Sequence, residues 1–399
     1  MNARLAGLHA YPFQKLARLT QDITPAARAP IVLSVGEPKH AAPPLVLDAL
    51  RANLASVSNY PSTKGLPALR GAIAQWCNRR FALQRAPLDP ERHVLPACGT
   101  REALFGLAQV VVDATSGERP VVIMPNPFYQ IYEGAALLSG AEPYYINTVA
   151  DDGYRMDLAR VPESVLRRTR LVYVCSPGNP TGAVLNRDDY AQLLQLAERY
   201  DFVLAADECY SEIYFDEQRP PLGLLQAADE LGIADYRRCI VFHSLSKRSN
   251  LPGLRSGFIA GDGELMARLL QYRTYDGCTV PSVTQAASVA AWQDEAHVRA
   301  NRDLYRIKFD TVLDILAPVM QVERPQAGFY LWPRTPIDDE SFTRELCRRE
   351  NVLVLPGRYL SRAAHGVDPG AGRVRMALVA SVDECRDAAQ RIRRFVETI

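Results

Sequence analysis

The chain has 399 residues, of which 48% are hydrophobic and 23% are charged, and this composition is typical of a globular protein rather than a disordered or fibrous one. Its 46 basic and 45 acidic residues give a net charge of +1, which excludes a strong overall attraction to nucleic acid or an anionic membrane and favours small-molecule partners. The eight cysteines form no C-x-x-C pair, the six histidines lack zinc-ligand spacing, and no leader or membrane-spanning run is evident, so we expect a reduced, cytoplasmic protein without a metal site.

Short β-rich runs alternate with helical patterns along most of the chain. Strands are predicted over 31–34, 92–97, 120–124, 171–175, 202–206, 239–243 and 256–260, and helices over 67–81, 101–113, 129–139 and 188–200. The run from Val121 to Met124 is apolar at every position, as in strands buried on both faces. The pattern therefore predicts an α/β fold whose mainly parallel sheet is sandwiched by helices and binds ligands at the carboxyl ends of its strands.

The sequence changes character near residue 281. A long helical pattern runs from there to residue 318, and shorter α and β segments lead to a final helix over 382–397. No repeat, low-complexity tract or long Gly/Ser linker separates the two parts. We expect a second, smaller domain that packs closely on the first.

Lysine is rare in this chain. Only five of the 46 basic residues are lysine, namely Lys15, Lys39, Lys64, Lys247 and Lys308. Because lysine, unlike arginine, can lose its proton and act as a nucleophile, each is a candidate for amine chemistry. Of these five, we expect Lys15 and Lys308 at the surface.

Lys247 follows a predicted strand in a loop rich in Ser, Gly and Pro, and Ser244, Ser246 and Arg255 flank it. To attack a carbonyl near neutral pH, a lysine must lower its pKa by roughly three units from about 10.4, through burial or nearby cations. Hydroxyls and an arginine are also groups that hold a phosphate. A phosphate-bearing aldehyde such as pyridoxal 5′-phosphate satisfies both requirements, and an exposed loop lysine is the alternative.

Other polar residues follow further predicted strands. Asp207 and Tyr210 follow the strand over 202–206, where a carboxylate can keep a pyridine nitrogen protonated, although Asp207 also suits a helix N-cap. Asn179 lies in a turn-rich loop and can donate to a ring oxygen, or it is a plain turn residue.

Two more segments suit the same ligand. Gly99, Thr100 and Arg101 begin a predicted helix, where backbone N–H groups, a hydroxyl and the helix dipole can hold a phosphate, unless this is a simple helix start. Tyr129 can lay its ring on a pyridine face or take part in ordinary aromatic packing.

These motifs occur in one recognisable order across nearly the whole chain, and the sequence resembles the class I/II aminotransferases, pyridoxal-phosphate enzymes of the aspartate-aminotransferase fold. The matching segments are Val35-Gly-Glu-Pro38, Tyr60-Pro-Ser-Thr-Lys-Gly65, Gly99-Thr-Arg101, Tyr129, Asn179-Pro-Thr-Gly182, Asp207 to Tyr210, Ser244 to Lys247, Gly253-Leu-Arg-Ser-Gly257, Ala327-Gly-Phe-Tyr330 and Arg373-Val-Arg375. The resemblance implies a large cofactor-binding domain over 46–285 and a smaller α/β domain built from 1–45 and 286–399. It also implies a homodimer with active sites at the interface.

The resemblance further implies roles for individual residues in the reaction. Lys247 binds the cofactor aldehyde as a Schiff base and moves the proton, while Asp207 pairs with the pyridinium. Tyr210 and Asn179 bond the ring oxygen, and Tyr129 stacks on the ring. The implied phosphate ligands are Gly99, Thr100, Arg101, Ser244, Ser246 and Arg255, with Tyr60 from the partner subunit.

On the substrate side, the resemblance implies that Arg375 clamps the substrate α-carboxylate with help from Gly36 and Asn179. Two residues near the expected phosphate depart from the family pattern: Cys98 stands where related enzymes often have a serine, and Arg101 stands in place of a smaller or amide residue.

Some longer stretches are similar to bacterial N-succinyldiaminopimelate aminotransferases, namely Tyr11 to Leu16, Gly36 to His40, Pro125 to Glu133, Asp207 to Tyr214 and His243 to Gly257. Those enzymes exchange the amino group of N-succinyl-LL-2,6-diaminopimelate with 2-oxoglutarate in diaminopimelate and lysine biosynthesis. The cations expected to meet the distal carboxylates are among Lys39, Lys64, Arg101, Arg248 and Arg358. One alternative is a general glutamate-linked aminotransferase for aromatic or aliphatic amino acids. A non-catalytic regulator that senses the cofactor should carry an added DNA-binding segment, and we expect none because the motifs already begin by Gly36.

Overall fold

The computed structural model describes residues 1–115 and 117–399. Its main feature is a seven-stranded sheet whose central strands are parallel. In chain order the strands are β1 (Ile31–Val32), β2 (Val94–Ala97), β3 (Val121–Asn126), β4 (Glu142–Asn147), β5 (Thr169–Cys175), β6 (Val203–Asp207), β7 (Cys239–Ser244), β8 (Gly257–Gly261), β9 (Tyr330–Leu331), β10 (Val352–Leu353), β11 (Leu355–Pro356) and β12 (Val374–Ala377). The large sheet has the order β2-β8-β7-β6-β5-β3-β4, and β8 runs antiparallel to both of its neighbours.

Helices connect and cover these strands. They are α1 (Pro12–Thr20), α2 (Pro44–Ala52), α3 (Pro67–Arg80), α4 (Thr100–Val111), α5 (Gln130–Ser139), α6 (Glu163–Arg168), α7 (Arg187–Tyr200), α8 (Leu224–Glu230), α9 (Leu245–Arg248), α10 (Gly263–Asp276), α11 (Ser282–Gln293), α12 (Ala296–Leu316), α13 (Asp339–Glu350) and α14 (Val382–Val396). Several of these helices begin at residues whose side chains cap the helix N-terminus, such as the capping box of Ser381 and Glu384 at the start of α14.

Two apolar cores lie on opposite faces of the large sheet. One joins the sheet to α3, α7, α8 and α11 through side chains such as Trp76, Leu193 and Trp292. The other joins it to α4, α5 and α10 through side chains such as Leu104 and Tyr132. The prediction of an α/β fold with a mainly parallel sheet between two helical layers is therefore confirmed.

A separate core lies among α12, α13, α14 and the short strands of the C-terminal region, and Ile31 and Leu33 from the N-terminal region join it. Strand β1 pairs in parallel with β10, while β12 lies between β11 and β9 in an antiparallel sheet. N- and C-terminal segments thus share one core, although the boundaries at 46 and 285 stay a prediction. In the described residues, no helix is both long and apolar enough to cross a membrane.

The structure differs from the sequence prediction at two elements. Strand β4 at the sheet edge was not predicted, because only Ile146 of its six residues is buried and its sequence carries no clear apolar run. The single long helix expected over 281–318 is two helices, since Asp294 takes an extended conformation with φ −105° and ψ 131° between α11 and α12.

Candidate active site

Polar side chains gather at the carboxyl ends of the central strands. Asp207 ends β6, Ser244 ends β7, and Lys247 follows in the short helix α9. Opposite this edge lie residues 33–37 and β12, and between them is a cleft of about 430 Å³. Most of the predicted site residues line it, namely Gly36, Thr100, Arg101, Tyr129, Asn179, Asp207, Tyr210, Ser244, Ser246, Lys247, Arg255 and Arg375.

The amine of Lys247 lies at the centre of the cleft. Its Nζ donates a hydrogen bond to the Gly36 carbonyl and lies 5.5 Å from the centroid of the Phe329 ring. Burial is the main cause that lowers the pKa of Lys247 to about 8, and the guanidinium of Arg375 acts in the same direction. A substantial fraction of this amine is therefore neutral near physiological pH, as nucleophilic or proton-transfer chemistry requires.

Asp207 is a buried carboxylate on the floor of the cleft. It accepts a 2.7 Å hydrogen bond from the Tyr132 hydroxyl and a 3.3 Å bond from the backbone N–H of Cys209. Burial raises the pKa of Asp207, and the two hydrogen bonds oppose that rise. Within the described ranges no lysine or arginine forms an ion pair with Asp207. A cationic group of a ligand would therefore supply the missing ion-pair partner of this buried carboxylate.

Two buried tyrosines close the side of the cleft next to Lys247. The hydroxyls of Tyr210 and Tyr330 lie 3.0 Å apart, and burial raises the pKa of Tyr210 well above its ordinary value. A Cβ atom at Gly36 would lie 2.0 Å from the Tyr330 hydroxyl oxygen. Only glycine therefore lets the segment around residue 36 approach closely enough to place its carbonyl against Lys247.

Arg375 on β12 is a buried cation that faces the cleft. Its guanidinium donates to Asn179 Oδ1 at 3.0 Å and to the Ser34 carbonyl at 2.8 Å, and it lies 4.5 Å from the centroid of the Tyr330 ring. Its Nε has no hydrogen-bond partner. No carboxylate of the described residues pairs with this guanidinium, so it suits an anionic ligand.

One end of the cleft is built for an anion from backbone and hydroxyl groups. Gly99, with φ 92°, precedes the first turn of α4, and a Cβ atom there would lie 2.3 Å from Nη2 of Arg255. Ser244 Oγ lies 2.9 Å from Ser246 Oγ and accepts from the Ser246 backbone N–H at 3.1 Å. A helix start, two hydroxyls and an arginine together suit a phosphate group.

An aromatic wall lines the open side of the cleft. Tyr129 is partly buried, and its hydroxyl accepts a 2.9 Å hydrogen bond from Nε of Arg101. The Arg101 guanidinium also lies 6.0 Å from the centroid of the Tyr11 ring. Arg101 is solvent-exposed, so its other N–H groups are free to meet a ligand that enters.

Some predicted residues lie outside the cleft of this chain. Tyr60 is fully exposed and does not line it, and the side chain of Cys98 turns away and donates to the Cys278 carbonyl. Among the cations expected to meet distal carboxylates, only Arg101 lines the cleft. Lys64 pairs with Glu91, Arg248 with Glu295, and Arg358 with Asp338 and Asp339, while Lys39 lies exposed elsewhere.

The expectation of two surface lysines was wrong for Lys308. Its side chain is only 1% exposed, and burial lowers its pKa to about 8. Lys15 is partly buried and lies 5.6 Å from the Tyr359 ring centroid. Nothing in the local sequence indicates that Lys308 is buried, because a single lysine on a helical pattern is most often solvated.

Two residues of the site were missed as functional. Tyr132, which bonds Asp207, lies three residues after Tyr129 in α5, and a tyrosine at this spacing looks like ordinary helix packing. Tyr330 lay in a matched motif, but nothing in the sequence showed that its ring would lie between Tyr210 and Arg375.

Comparisons with known proteins agree on one family. The model of the family described as aminotransferase class I and II matches residues 28–392. The LL-diaminopimelate aminotransferase of Desulforudis audaxviator is 32% identical over 397 residues, which cover 98% of this chain and 96% of that protein.

Solved structures extend the likeness to the whole fold. An aminotransferase from Neisseria meningitidis superposes with a TM-score of 0.94 at 47% identity, covering 98% of this chain and 99% of that one. A probable N-succinyldiaminopimelate aminotransferase from Thermus thermophilus has a TM-score of 0.84 at 27% identity, with 96% and 100% coverage.

Proposed function

The chain belongs to the class I and II aminotransferase family, and we propose that it transfers the amino group of N-succinyl-LL-2,6-diaminopimelate to 2-oxoglutarate, in diaminopimelate and lysine biosynthesis. It is a pyridoxal-phosphate-dependent aminotransferase. The observation that carries the proposal is the meeting, in one cleft, of a lysine with a pKa of about 8, a buried unpaired carboxylate and a buried unpaired guanidinium.

The residues at the cleft fit pyridoxal 5′-phosphate. Asp207 has no cationic partner in the described chain and would pair with the protonated ring nitrogen. Ser244, Arg255 and the start of α4 after Gly99 would hold the phosphate, in a cradle that a Cβ at Gly99 would obstruct. When bound, the cofactor supplies an electron sink for the negative charge that develops at the substrate α-carbon.

The remaining chemistry at that carbon is proton transfer, and we assign it to Lys247. An amine with a pKa near 8 can both accept and return a proton near neutral pH, which suits a group that acts in both directions. The Gly36 carbonyl accepts from the amine and so orients it. Tyr210, Tyr330 and Phe329 surround it with aromatic rings that limit the access of water.

We assign the α-carboxylate of the substrate to Arg375. Its planar guanidinium can bind a carboxylate through two parallel hydrogen bonds, and its unpartnered Nε leaves one donor available. Asn179 and the Ser34 carbonyl accept hydrogen bonds from the two Nη groups and hold the guanidinium in place. Because amino donors and 2-oxo acceptors share this carboxylate, one clamp serves both halves of the reaction.

The choice of substrate rests on the outer part of the cleft and on the relatives. Arg101 is the cation at the aromatic wall and would meet the succinyl carboxylate, while Tyr11 and Tyr129 would contact the aliphatic chain. A curated relative is named for LL-diaminopimelate, and a structural neighbour for N-succinyldiaminopimelate. The two substrates share one carbon skeleton and differ in the distal nitrogen, which is cationic only in the first.

The test is a half-reaction screen in which the holoenzyme is mixed with single amino acids and the cofactor absorbance is followed. We expect the fastest conversion with N-succinyl-LL-diaminopimelate, a slower one with glutamate, and the slowest with aspartate and phenylalanine. Arg101→Gln should lower the half-reaction rate with the succinylated substrate roughly tenfold, which corresponds to the loss of one charged hydrogen bond. The half-reaction rate with alanine, which has no distal carboxylate, should not change. Faster conversion of free LL-diaminopimelate, or of phenylalanine, would overturn the substrate assignment.

A further inference from the structure

A second buried lysine lies behind the cleft, on the inner face of α12. Asn301, Tyr305 and Lys308 follow one another there at intervals of four and three residues, and their exposed fractions are 2%, 0% and 1%. No acidic side chain of the described residues forms an ion pair with Lys308; its Nζ donates to His40 Nε2 and to the Val379 carbonyl at 3.3 Å. Burying an ammonium whose partners are only an imidazole and a carbonyl costs free energy of folding. The burial of Lys308 therefore points to a role other than stabilising the fold.

The hydrogen bonds of this group run in one direction. An ammonium can only donate, so His40 must accept at Nε2 and carry its proton on Nδ1. The Nδ1–H then donates to Asn301 Oδ1 at 2.7 Å. The amide nitrogen of Asn301 in turn donates to the backbone carbonyls of Lys247 and Arg248, both at 3.4 Å. We call Lys308, His40 and Asn301 the relay.

The relay reaches Lys247 by a second route as well. His40 is four residues after Gly36, whose carbonyl accepts from the Lys247 amine, and the same segment contributes the Ser34 carbonyl that accepts from Arg375. Asn301 thus contacts the backbone that carries Lys247, and His40 lies on the segment against which the amine lies. Both the base and its carbonyl partner depend on the position of α12.

We propose that Lys308, His40 and Asn301 are positioning residues for the reaction, which hold the Lys247 amine and the Gly36 carbonyl in register from outside the cleft. This inference rests on the proposed function, because it requires that Lys247 carry the chemistry. None of the three residues lines the cleft, so they act through Lys247 rather than on the substrate. A small misplacement of a reacting group is enough to slow a reaction strongly.

The charges around the relay favour a single proton arrangement. Cys385 and Glu384 face Lys308 from α14, and Lys39 faces it from the segment that carries His40. Burial, followed by the neighbouring ammonium, lowers the pKa of His40, and burial lowers that of Lys308 to about 8. Between these two pKa values the imidazole is neutral and the lysine charged, which is the form that the hydrogen bonds require.

The test compares two substitutions at one position. His40→Ala and His40→Asn both remove the ring and its contact with Lys308, but the asparagine amide can restore the donor toward Asn301. We expect the holoenzyme half-reaction with glutamate to slow about tenfold to a hundredfold in His40→Ala and to recover most of that loss in His40→Asn. The glutamate concentration for half-maximal rate should change little, because Arg375 is intact.

A second pair of variants separates positioning from stability. Asn301→Leu should slow the half-reaction and shift the pH at which the cofactor chromophore titrates, whereas Val312→Ala, which trims the same helix in a different core, should lower the melting temperature and change neither. Equal rates in His40→Ala and His40→Asn, or an unshifted titration in Asn301→Leu, would overturn the relay. If wild-type Lys247 does not bind the cofactor covalently, the proposed function itself fails, and that result is distinct.

Discussion

Two lysines of this chain have a pKa of about 8, and their surroundings give them different chemistry. Lys247 opens on a cleft that also holds an unpaired carboxylate and an unpaired guanidinium, whereas Lys308 is enclosed by protein on all sides. A lowered pKa makes an amine capable of reaction, and access to a ligand decides whether the reaction occurs. Lys247 and Arg375, which both line the cleft, are therefore the residues whose substitution should change the chemistry most directly.

The pH dependence of Lys247 follows from its burial. Because burial lowers the pKa of Lys247 to about 8 from its ordinary value of about 10.4, its neutral fraction should grow tenfold per pH unit up to about pH 8 and then level off. Trace acetylation of the apoenzyme at a series of pH values, read by mass spectrometry, measures this midpoint. In the urea-unfolded chain the midpoint should move up to about 10.4. A midpoint near 10 in the folded chain would contradict the account.

Arg375→Ala should raise the KM for the amino donor and for the 2-oxo acceptor together. The loss of a charged hydrogen-bond pair at a buried site costs about 2 kcal/mol, which is roughly thirtyfold in KM. Steady-state kinetics with each substrate varied in turn would measure both. Arg373→Gln is the matched control, since Arg373 lies two residues earlier, bonds the Trp332 carbonyl and does not line the cleft. A rise in only one KM would show that Arg375 is not the shared clamp.

At the scale of elements, the sequence predicts well wherever a local pattern decides the structure. The strands over 121–126, 169–175 and 203–207 each contain a continuous apolar run, and the loops after them carry residues of the site. The edge strand β4 and the break at Asp294 depend on tertiary contacts, which leave no local pattern. Lys308 was missed for the same reason, because its burial depends on the segment that ends at His40.

A substitution at Gly99, in the turn between β2 and α4, tests whether the backbone conformation of this turn is needed for cofactor binding. Gly99→Ala forces a Cβ into a left-handed conformation and against Arg255, so it should cost about 1 kcal/mol or more of unfolding free energy and weaken cofactor binding roughly tenfold. Urea unfolding and a cofactor titration would measure the two effects. Gly71→Ala in α3, where a Cβ has open space, should instead stabilise the chain by up to about 1 kcal/mol. Unchanged cofactor affinity in Gly99→Ala would contradict the role of this turn.

At the scale of the whole molecule, the cleft lies between the large sheet and a core that N- and C-terminal segments build together. Arg375 and Gly36 lie on chain segments that contribute to that second core, while Asp207 ends a strand of the large sheet and Lys247 follows another. In this single chain Tyr60 is fully exposed, and the side chains of Val57 and Tyr275 are also largely exposed. These exposed side chains agree with the proposal that a second copy covers them and that Tyr60 serves the partner's site.

A mixture of two inactive variants tests that arrangement. Lys247→Ala lacks the amine, and Tyr60→Ala should lose activity at limiting cofactor. If Tyr60 serves the partner's site, subunit exchange creates hybrids with one intact site, and the mixture should regain about a quarter of wild-type activity. Light scattering before and after mixing would report the oligomeric state. Activity no higher than the average of the two separate variants would show that Tyr60 acts within its own chain or not at all.

Every role proposed for this cleft depends on Lys247 being the amine that binds the cofactor. The most direct measurement is borohydride reduction of the holoenzyme, followed by peptide mass spectrometry to locate the fixed pyridoxyl group. The account predicts one modified residue, Lys247, in wild type and in Lys308→Met, and no modification in Lys247→Ala. Lys308 has the same lowered pKa but no access to the cleft, which makes it the internal control. Modification at Lys308, or undiminished modification of Lys247→Ala, would contradict the account.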